Sequence, residues 1–298
     1  MSHNLSPRHR PRRLAFLVLT AALAITACGG DDESSLPSEP HKLTVEVTEQ
    51  GKNRFSLTAP KSVRAGLVEI ALKTPASGRT SHDAQLVRVE GNHSIGEVLK
   101  FIGQEGAPTP NWLFAAGGVG QTRTGMTGLA RQRLTPGRYF VVDTSEPEGE
   151  NVKSYAEKGA TAELEVTGKP GPAELPKSQS KITATDYTFT SSGLRAGRNL
   201  VEFDNAGEEI HHVIAFPYRK GTRLAAVKKL FKQQREPSGP PPVDFESISG
   251  SAALEGGQKQ VAQLDLKRGK YALVCFVSDR RGGPPHVAKG MIAEAVVQ

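Results

Sequence analysis

Short segments rich in apolar and β-branched residues recur along most of the chain, and several alternate apolar with polar positions. They are separated by Gly, Pro, Asn and Asp at short intervals, which is typical of strands joined by turns. Two stretches instead carry apolar residues at helical spacing. These residues are Ile95, Val98, Leu99 and Ile102 in one stretch, and Leu224, Val227 and Phe231 in the other. The pattern therefore predicts an all-β protein with two short helical inserts.

One series of sequence landmarks occurs twice, roughly 130 residues apart, which indicates an internal repeat. Arg-Ala-Gly at 64–66 and 195–197 precedes a strand-like segment in each copy, and Gly-x-Tyr at 137–139 and 269–271 opens another. A repeated unit of short strands predicts two tandem Greek-key β-sandwich domains. The boundaries that we predict are 43–168 for the first domain, 169–179 for a proline-containing linker and 180–298 for the second domain.

The amino terminus has the features of an export signal. Four arginines between residues 8 and 13 precede an apolar run at 14–27 that is too short to be a good membrane-spanning helix. The Ile-Thr-Ala-Cys motif that ends at Cys28 resembles the lipobox of bacterial lipoproteins. The resemblance implies a signal peptide at 1–27, lipidation of Cys28 and a flexible tether at 28–42. The alternative is an ordinary secretory signal that ends by chance in a cysteine.

These features predict a protein held at the cell membrane by a lipid, with its folded part outside the cytoplasm. The formal charge of the whole chain is +7, but the four arginines precede the apolar run, so removal of the signal leaves +3. We therefore expect no nucleic-acid partner. The glycine-rich stretch 117–120 lacks the context of a dinucleotide-binding loop, and we predict a turn there.

Four residues in the second copy have the chemistry of a soft-metal site: His211, Cys275, His286 and Met291. Two imidazoles, a thiolate and a thioether are the ligand set of a mononuclear blue-copper centre, with the methionine as a weak axial ligand. The chain has two cysteines, so a lipidated Cys28 leaves Cys275 without a disulfide partner. The alternative is that the four residues only pack in the core.

The motifs around these residues resemble the cupredoxins, the plastocyanin and azurin family. They are Asp-Asn-Ala-Gly at 204–207 leading into Ile-His-His-Val-Ile at 210–214, Gly-x-Tyr-x-x-x-Cys at 269–275, and His-x-x-x-x-Met at 286–291. The resemblance implies one type 1 copper site in the second domain, with the four residues above as ligands. His212 takes the position of a polar residue that often hydrogen-bonds toward the cysteine loop, and whether His212 rather than His211 binds the metal stays open.

The corresponding residues of the first copy are different. Asp143 stands where Cys275 does, Tyr155 lies near the position of His286, and Ala160 takes that of Met291, so we expect a degenerate domain without metal. A further departure from the family is the segment 276–285, which is longer than the loop of plastocyanin-like proteins. We assign His41, His82 and His93 to the solvated surface.

The predicted function is one-electron transfer with a redox protein partner at the cell envelope. The resemblance implies that His286 would be the electron port. Oxidase or nitrite-reductase activity is disfavoured because only six histidines follow the apolar run and no His-x-His pair exists, so we predict a protein that is not an enzyme. The alternatives are an envelope copper carrier or sensor, and a copper-free adhesion or partner-binding module.

Overall fold

A computed structural model describes residues 39–50, 54–76, 81–102, 104, 106–147, 152–232 and 239–298. The predicted signal peptide, Cys28 and most of the predicted tether lie outside these residues. The helices are α1 (Ile95–Val98) and α2 (Leu224–Lys232), with a 3₁₀ turn at Ala156–Lys158. The strands are β1 (His41–Glu49), β2 (Phe55–Thr58), β3 (Ser62–Arg64), β4 (Gly66–Lys73), β5 (Ser81–Val89), β6 (Leu113–Arg123), β7 (Thr127–Leu134), β8 (Gly137–Val142), β9 (Thr161–Thr167), β10 (Ser180–Thr185), β11 (Thr188–Ser192), β12 (Gly197–Asn205), β13 (Ile214–Pro217), β14 (Ser249–Gly250), β15 (Lys259–Leu266), β16 (Gly269–Val274) and β17 (Ile292–Val297).

The described residues confirm the predicted all-β class. Strand β1 shows the underlying pattern, because Leu43, Val45 and Val47 are buried while the residues between them are exposed. The two amphipathic stretches form the helices α1 and α2, one in each half of the chain. No helix in the described part of the chain is long and apolar enough to cross a membrane.

The two halves repeat one order of strands. The first half contains β7-β4-β1-β2 and β3-β9-β8-β5-β6, and the second contains β15-β12-β10-β11 and β14-β13-β16-β17. In both halves the first strand pairs in parallel with a later one, β1 with β4 and β10 with β12. The repeated order agrees with the internal repeat of the sequence, while the domain boundaries themselves stay predictions.

The halves are joined through a shared sheet. Strand β15 pairs antiparallel with β7, and the register Gln260↔Gln132, Val261↔Arg131 and Ala262↔Ala130 makes one eight-stranded sheet from strands of both halves. The described residues from Glu39 to Gln298 accordingly belong to one compact unit.

The glycine-rich stretch 117–120 is not a turn, and the prediction of one was wrong. It lies inside β6, where the backbone approaches other strands too closely for side chains. A Cβ on Gly118 would lie 2.0 Å from the carbonyl oxygen of Ala84, and one on Gly120 would lie 2.1 Å from that of Gly250. The glycines therefore allow β6 to pack against β5 and against the second half at the same time.

The assignment of His82 to the solvated surface was also wrong. The His82 side chain is 2% exposed, and its Nδ1 lies 2.6 Å from Oδ2 of the fully buried Asp143. The ring of Tyr155 packs on His82 with centroids 4.7 Å apart. Asp143 Oδ1 also accepts hydrogen bonds from the backbone N–H groups of Asp83 and Ser145. A histidine can be buried in this way because a carboxylate meets its polar atom inside the core.

We predict that the hydrogen bond between His82 and Asp143 stabilises the first half, because each side chain supplies the buried partner of the other. Asp143→Ala should lower the free energy of unfolding by about 3–5 kcal/mol, because it leaves the buried imidazole without its partner. The double variant His82→Ala/Asp143→Ala should cost clearly less than the sum of the two single variants, as measured by urea denaturation. Strictly additive costs would show that the two side chains do not interact.

Candidate metal centre

The second half brings three metal-binding side chains to one end of its sheets. Strands β13 and β16 pair antiparallel with Ile214 opposite Val274, so His211 before β13 and Cys275 after β16 lie side by side. The chain then makes a loop and returns at His286, whose N–H donates to the carbonyl of Val277 at 2.9 Å. The long segment 276–285 therefore folds back and closes the site.

The donor atoms of this cluster converge. Cys275 Sγ lies 3.7 Å from His211 Nδ1 and 3.5 Å from His286 Nδ1, and the two nitrogens are 3.0 Å apart. A point in the plane of the three atoms is about 2 Å from each of them, close to the bond lengths of transition metals to imidazole and thiolate. Within the described residues this is the one group of three or more such side chains able to hold a metal ion.

Both imidazoles have their other nitrogen held by a carboxylate. His211 Nε2 lies 2.7 Å from Asp186 Oδ1, and His286 Nε2 lies 2.9 Å from Asp279 Oδ1. Each carboxylate accepts the Nε2–H, so both Nδ1 atoms are left as acceptors that face one another across the cluster. Two lone pairs at this separation repel unless a positive centre lies between them. The donor set therefore fits a cation, and its imidazole and thiolate chemistry fits a single type 1 copper ion.

The two carboxylates are themselves held in place. Burial acts to raise the pKa of Asp186, but the backbone N–H groups of Glu208 and Glu209, together with His211, bring it below its usual value. Burial likewise opposes ionisation of Asp279, whose pKa is nevertheless lowered by Lys289, Tyr187 and His286. Both groups thus remain anionic at neutral pH and keep the protons of the imidazoles on Nε2. No sequence motif predicted either carboxylate.

The protonation of the cluster follows from its burial. His211, Cys275 and His286 are all 0% exposed. Burial raises the pKa of the Cys275 thiol to about 12 and lowers that of His286 to about 4, and it also lowers the pKa of His211. Without metal the cluster is therefore a neutral thiol and two neutral imidazoles, and metal binding must displace the thiol proton.

His212 has the position that the resemblance implied. Its Nε2 accepts a hydrogen bond of 2.9 Å from the backbone N–H of Phe276, and burial lowers its pKa to about 4. The structure brings His211, not His212, to Cys275 and His286. His212 instead ties the strand that follows His211 to the loop that follows Cys275.

Met291 is fully buried and belongs to the same apolar cluster as Cys275. Its backbone N–H donates to the carbonyl of His286 at 2.9 Å, which places the two residues in one turn. Its role as axial ligand stays a prediction.

The first half holds the loop between the cysteine and the second histidine. Arg280 donates from Nη1 to the carbonyls of Pro110 and Leu113 at 3.1 and 3.2 Å, and from Nη2 to Glu255 at 2.5 Å. Its guanidinium also lies 5.4 Å from the ring centroid of Phe114. Backbone hydrogen bonds from Thr109 to Arg280 and from Gly283 to Gly106 complete the contact. Sequence reasoning missed this contact, because it joins segments about 170 residues apart.

Several solved structures are similar in fold. An auracyanin from Roseiflexus castenholzii is 18% identical, with a TM-score of 0.27, and the match covers 40% of this chain and 94% of that one. Auracyanin B is 19% identical with a TM-score of 0.26, and the match covers 40% of this chain and 86% of that one. The copper nitrite reductase from Nitrosomonas europaea is 14% identical with a TM-score of 0.26, covering 86% of this chain and 93% of that one. No family model and no curated protein matches the sequence. The metal assignment rests on the donor geometry described above.

We predict that the copper-free protein loses stability as the pH falls from about 6.5 to 4. The folded state lowers the pKa of His286 to about 4 from an ordinary value near 6.5, so the unfolded chain binds the additional proton in this range. The loss should reach roughly 3 kcal/mol for this residue, measured by denaturant unfolding at a series of pH values. His286→Gln should flatten the profile. A slope identical to that of the parent would contradict the prediction.

Arg280→Ala should destabilise the protein by about 2 kcal/mol, because the carbonyls of Pro110 and Leu113 and the carboxylate of Glu255 lose a charged donor. Urea denaturation measures the effect. Arg281→Ala is the matched control, since Arg281 is the neighbouring arginine and its side chain is exposed. Equal stability of the two variants would show that the contact does not hold the loop.

Proposed function

We propose that this protein is a lipid-anchored, extracytoplasmic blue-copper protein that transfers single electrons to or from a redox protein at the cell envelope. The observation that carries the proposal is the convergence of one thiol and two imidazole nitrogens in a fully buried cluster. His211, Cys275 and His286 would hold the ion, with Met291 as the axial ligand. When bound, copper supplies a one-electron couple between Cu(I) and Cu(II).

The residues around the site favour electron transfer. Asp186 and Asp279 fix the two imidazoles through Nε2, so the donor atoms keep their positions whichever charge they face. A rigid donor set requires little rearrangement when an electron enters or leaves. The surrounding apolar residues exclude water from the cluster, since all three donor residues are fully buried.

The same burial disfavours catalysis at the metal. A substrate would need a path to the donors, and none of the three side chains is exposed. A cavity of about 350 Å³ lies between the halves, lined among others by Leu254 and Glu255, and the three donors are not part of its lining. We therefore propose a protein without enzymatic activity of its own. The buried site also disfavours a carrier, which has to release its metal to another protein.

The proposal is tested by colour. The full chain, purified in detergent, should turn intensely blue or green when Cu(II) is added, because a thiolate ligand gives strong absorption in the visible range. Cys275→Ser should abolish the colour completely, as measured by visible absorption and by electron paramagnetic resonance.

Cys28→Ser is the matched control, because it removes the other cysteine of the chain. It should keep the colour, and it should move the protein from the membrane fraction to the soluble fraction if Cys28 carries the lipid. Copper binding without colour would support a carrier instead, and no binding at all would support a copper-free partner-binding module.

A further inference from the structure

The ring that the family resemblance implied as electron port is covered in this protein. His286 is 0% exposed, and its Nε2 is bound to Asp279. The ring of Tyr187 packs against it with centroids 4.9 Å apart, and Lys289 bridges Asp279 and the hydroxyl of Tyr187. An electron that enters or leaves the site needs another short route to the surface.

Phe276 offers that route. It is joined to Cys275 by a peptide bond, and among the residues that the structure describes it is one of four large apolar residues that are exposed, at 38%. Its backbone N–H donates to His212, which is in turn joined by a peptide bond to His211. The chain neighbours of two metal-binding residues therefore meet at one place, through one hydrogen bond, and the Phe276 ring extends from there to the solvent.

Phe276 belongs to a cluster of aromatic rings. Its ring centroid lies 5.5 Å from that of Phe231 on α2 and 6.0 Å from that of the buried Phe216. Phe245 packs on Phe216 at 5.5 Å and is 46% exposed. We call Phe231, Phe245 and Phe276 the aromatic face. Its member Phe276 directly follows Cys275 in the chain.

The charge around the aromatic face is mainly positive. The segment 217–232 contains six arginines and lysines and no acidic residue. Lys228, Lys229 and Lys232 of α2 are exposed, and no ion pair involves them among the described residues. Asp244 and Glu246 flank Phe245, but they offset only part of this charge. An apolar centre beside free lysines is complementary to a protein whose docking surface is acidic.

We propose that the aromatic face and the lysines of α2 form the docking surface for an acidic redox protein, and that electrons pass between this partner and the site through Phe276. This inference rests on the proposed function. In each transfer one electron is lost by the site and gained by the oxidised centre of the partner, or the reverse. No bond is made or broken, and no proton moves.

The surface can be mapped without any electron transfer. Hexacyanochromate(III), a redox-inert paramagnetic anion, should broaden the amide NMR signals of α2 and of Phe276 when it is added to the copper-free Cys28→Ser protein. Broadening that is strongest elsewhere, with none on α2, would overturn the proposal.

The rate measurement uses two matched triple variants. Lys228→Glu/Lys229→Glu/Lys232→Glu should slow the oxidation of the reduced protein by hexacyanoferrate(III) about tenfold at low ionic strength, and the difference should shrink at high salt. Lys61→Glu/Lys73→Glu/Lys169→Glu changes the net charge equally at exposed lysines of the first half and its linker, and it should have a smaller effect. Equal changes of the oxidation rate in the two triple variants would overturn the proposal that the α2 lysines belong to the docking surface.

The route through Phe276 has its own test. Phe276→Ser should keep the colour and slow the oxidation several-fold, whereas Leu200→Ser, at another exposed apolar residue, should leave the rate unchanged. If Phe276→Ser is oxidised at the same rate as the parent protein, the proposed electron route through Phe276 is wrong.

Two further results separate this inference from others. If the parent protein does not become coloured with copper, the proposed function fails, whichever NMR signals hexacyanochromate(III) broadens. If the α2 lysines are required for binding to vesicles that contain anionic lipid, but change neither the anion map nor the rates, the surface faces a membrane and the proposal of a protein partner is wrong.

Discussion

The structure of the site depends on two imidazole nitrogens that face each other as acceptors in a dry interior. Water is excluded from His211 and His286, and their Nε2 protons are committed to Asp186 and Asp279. The pocket between the two Nδ1 atoms therefore favours a cation, and the adjacent sulfur selects a soft one. The segment 276–285, the two carboxylates and the backbone hydrogen bonds around His286 hold the two Nδ1 atoms in this position.

The metal-binding residues could be predicted from the sequence because their spacing and types are local features of recognisable segments. The supporting carboxylates could not, since Asp186 and Asp279 become partners of the imidazoles only when distant strands meet. The same limit explains the two errors in the first half. The burial of His82 depends on Asp143, which is 61 residues away, and the strand conformation of the glycines at 117–120 depends on a close approach to other strands.

The corresponding positions of the two halves meet the same physical problem in different ways. In the second half the buried histidine faces a neutral thiol and a second imidazole, so its site is unsatisfied without a cation. In the first half His82 faces a carboxylate and is covered by Tyr155, so the polar groups satisfy one another. The metal-free first half stays a prediction, and this pairing favours it because His82 Nδ1 already has a hydrogen-bond partner in Asp143.

The hold of Arg280 on the carbonyls of Pro110 and Leu113 has a consequence for any attempt to reduce this protein to its smallest active part. A fragment that begins at the second repeat would retain every predicted metal-binding residue and the pair of Arg280 with Glu255, yet the arginine would lose both carbonyl partners and the segment 276–285 would lose its contacts with the first half. Such a fragment could take up copper and still differ from the intact molecule in colour, potential and exchange rate. The first half is in this sense a structural part of the centre.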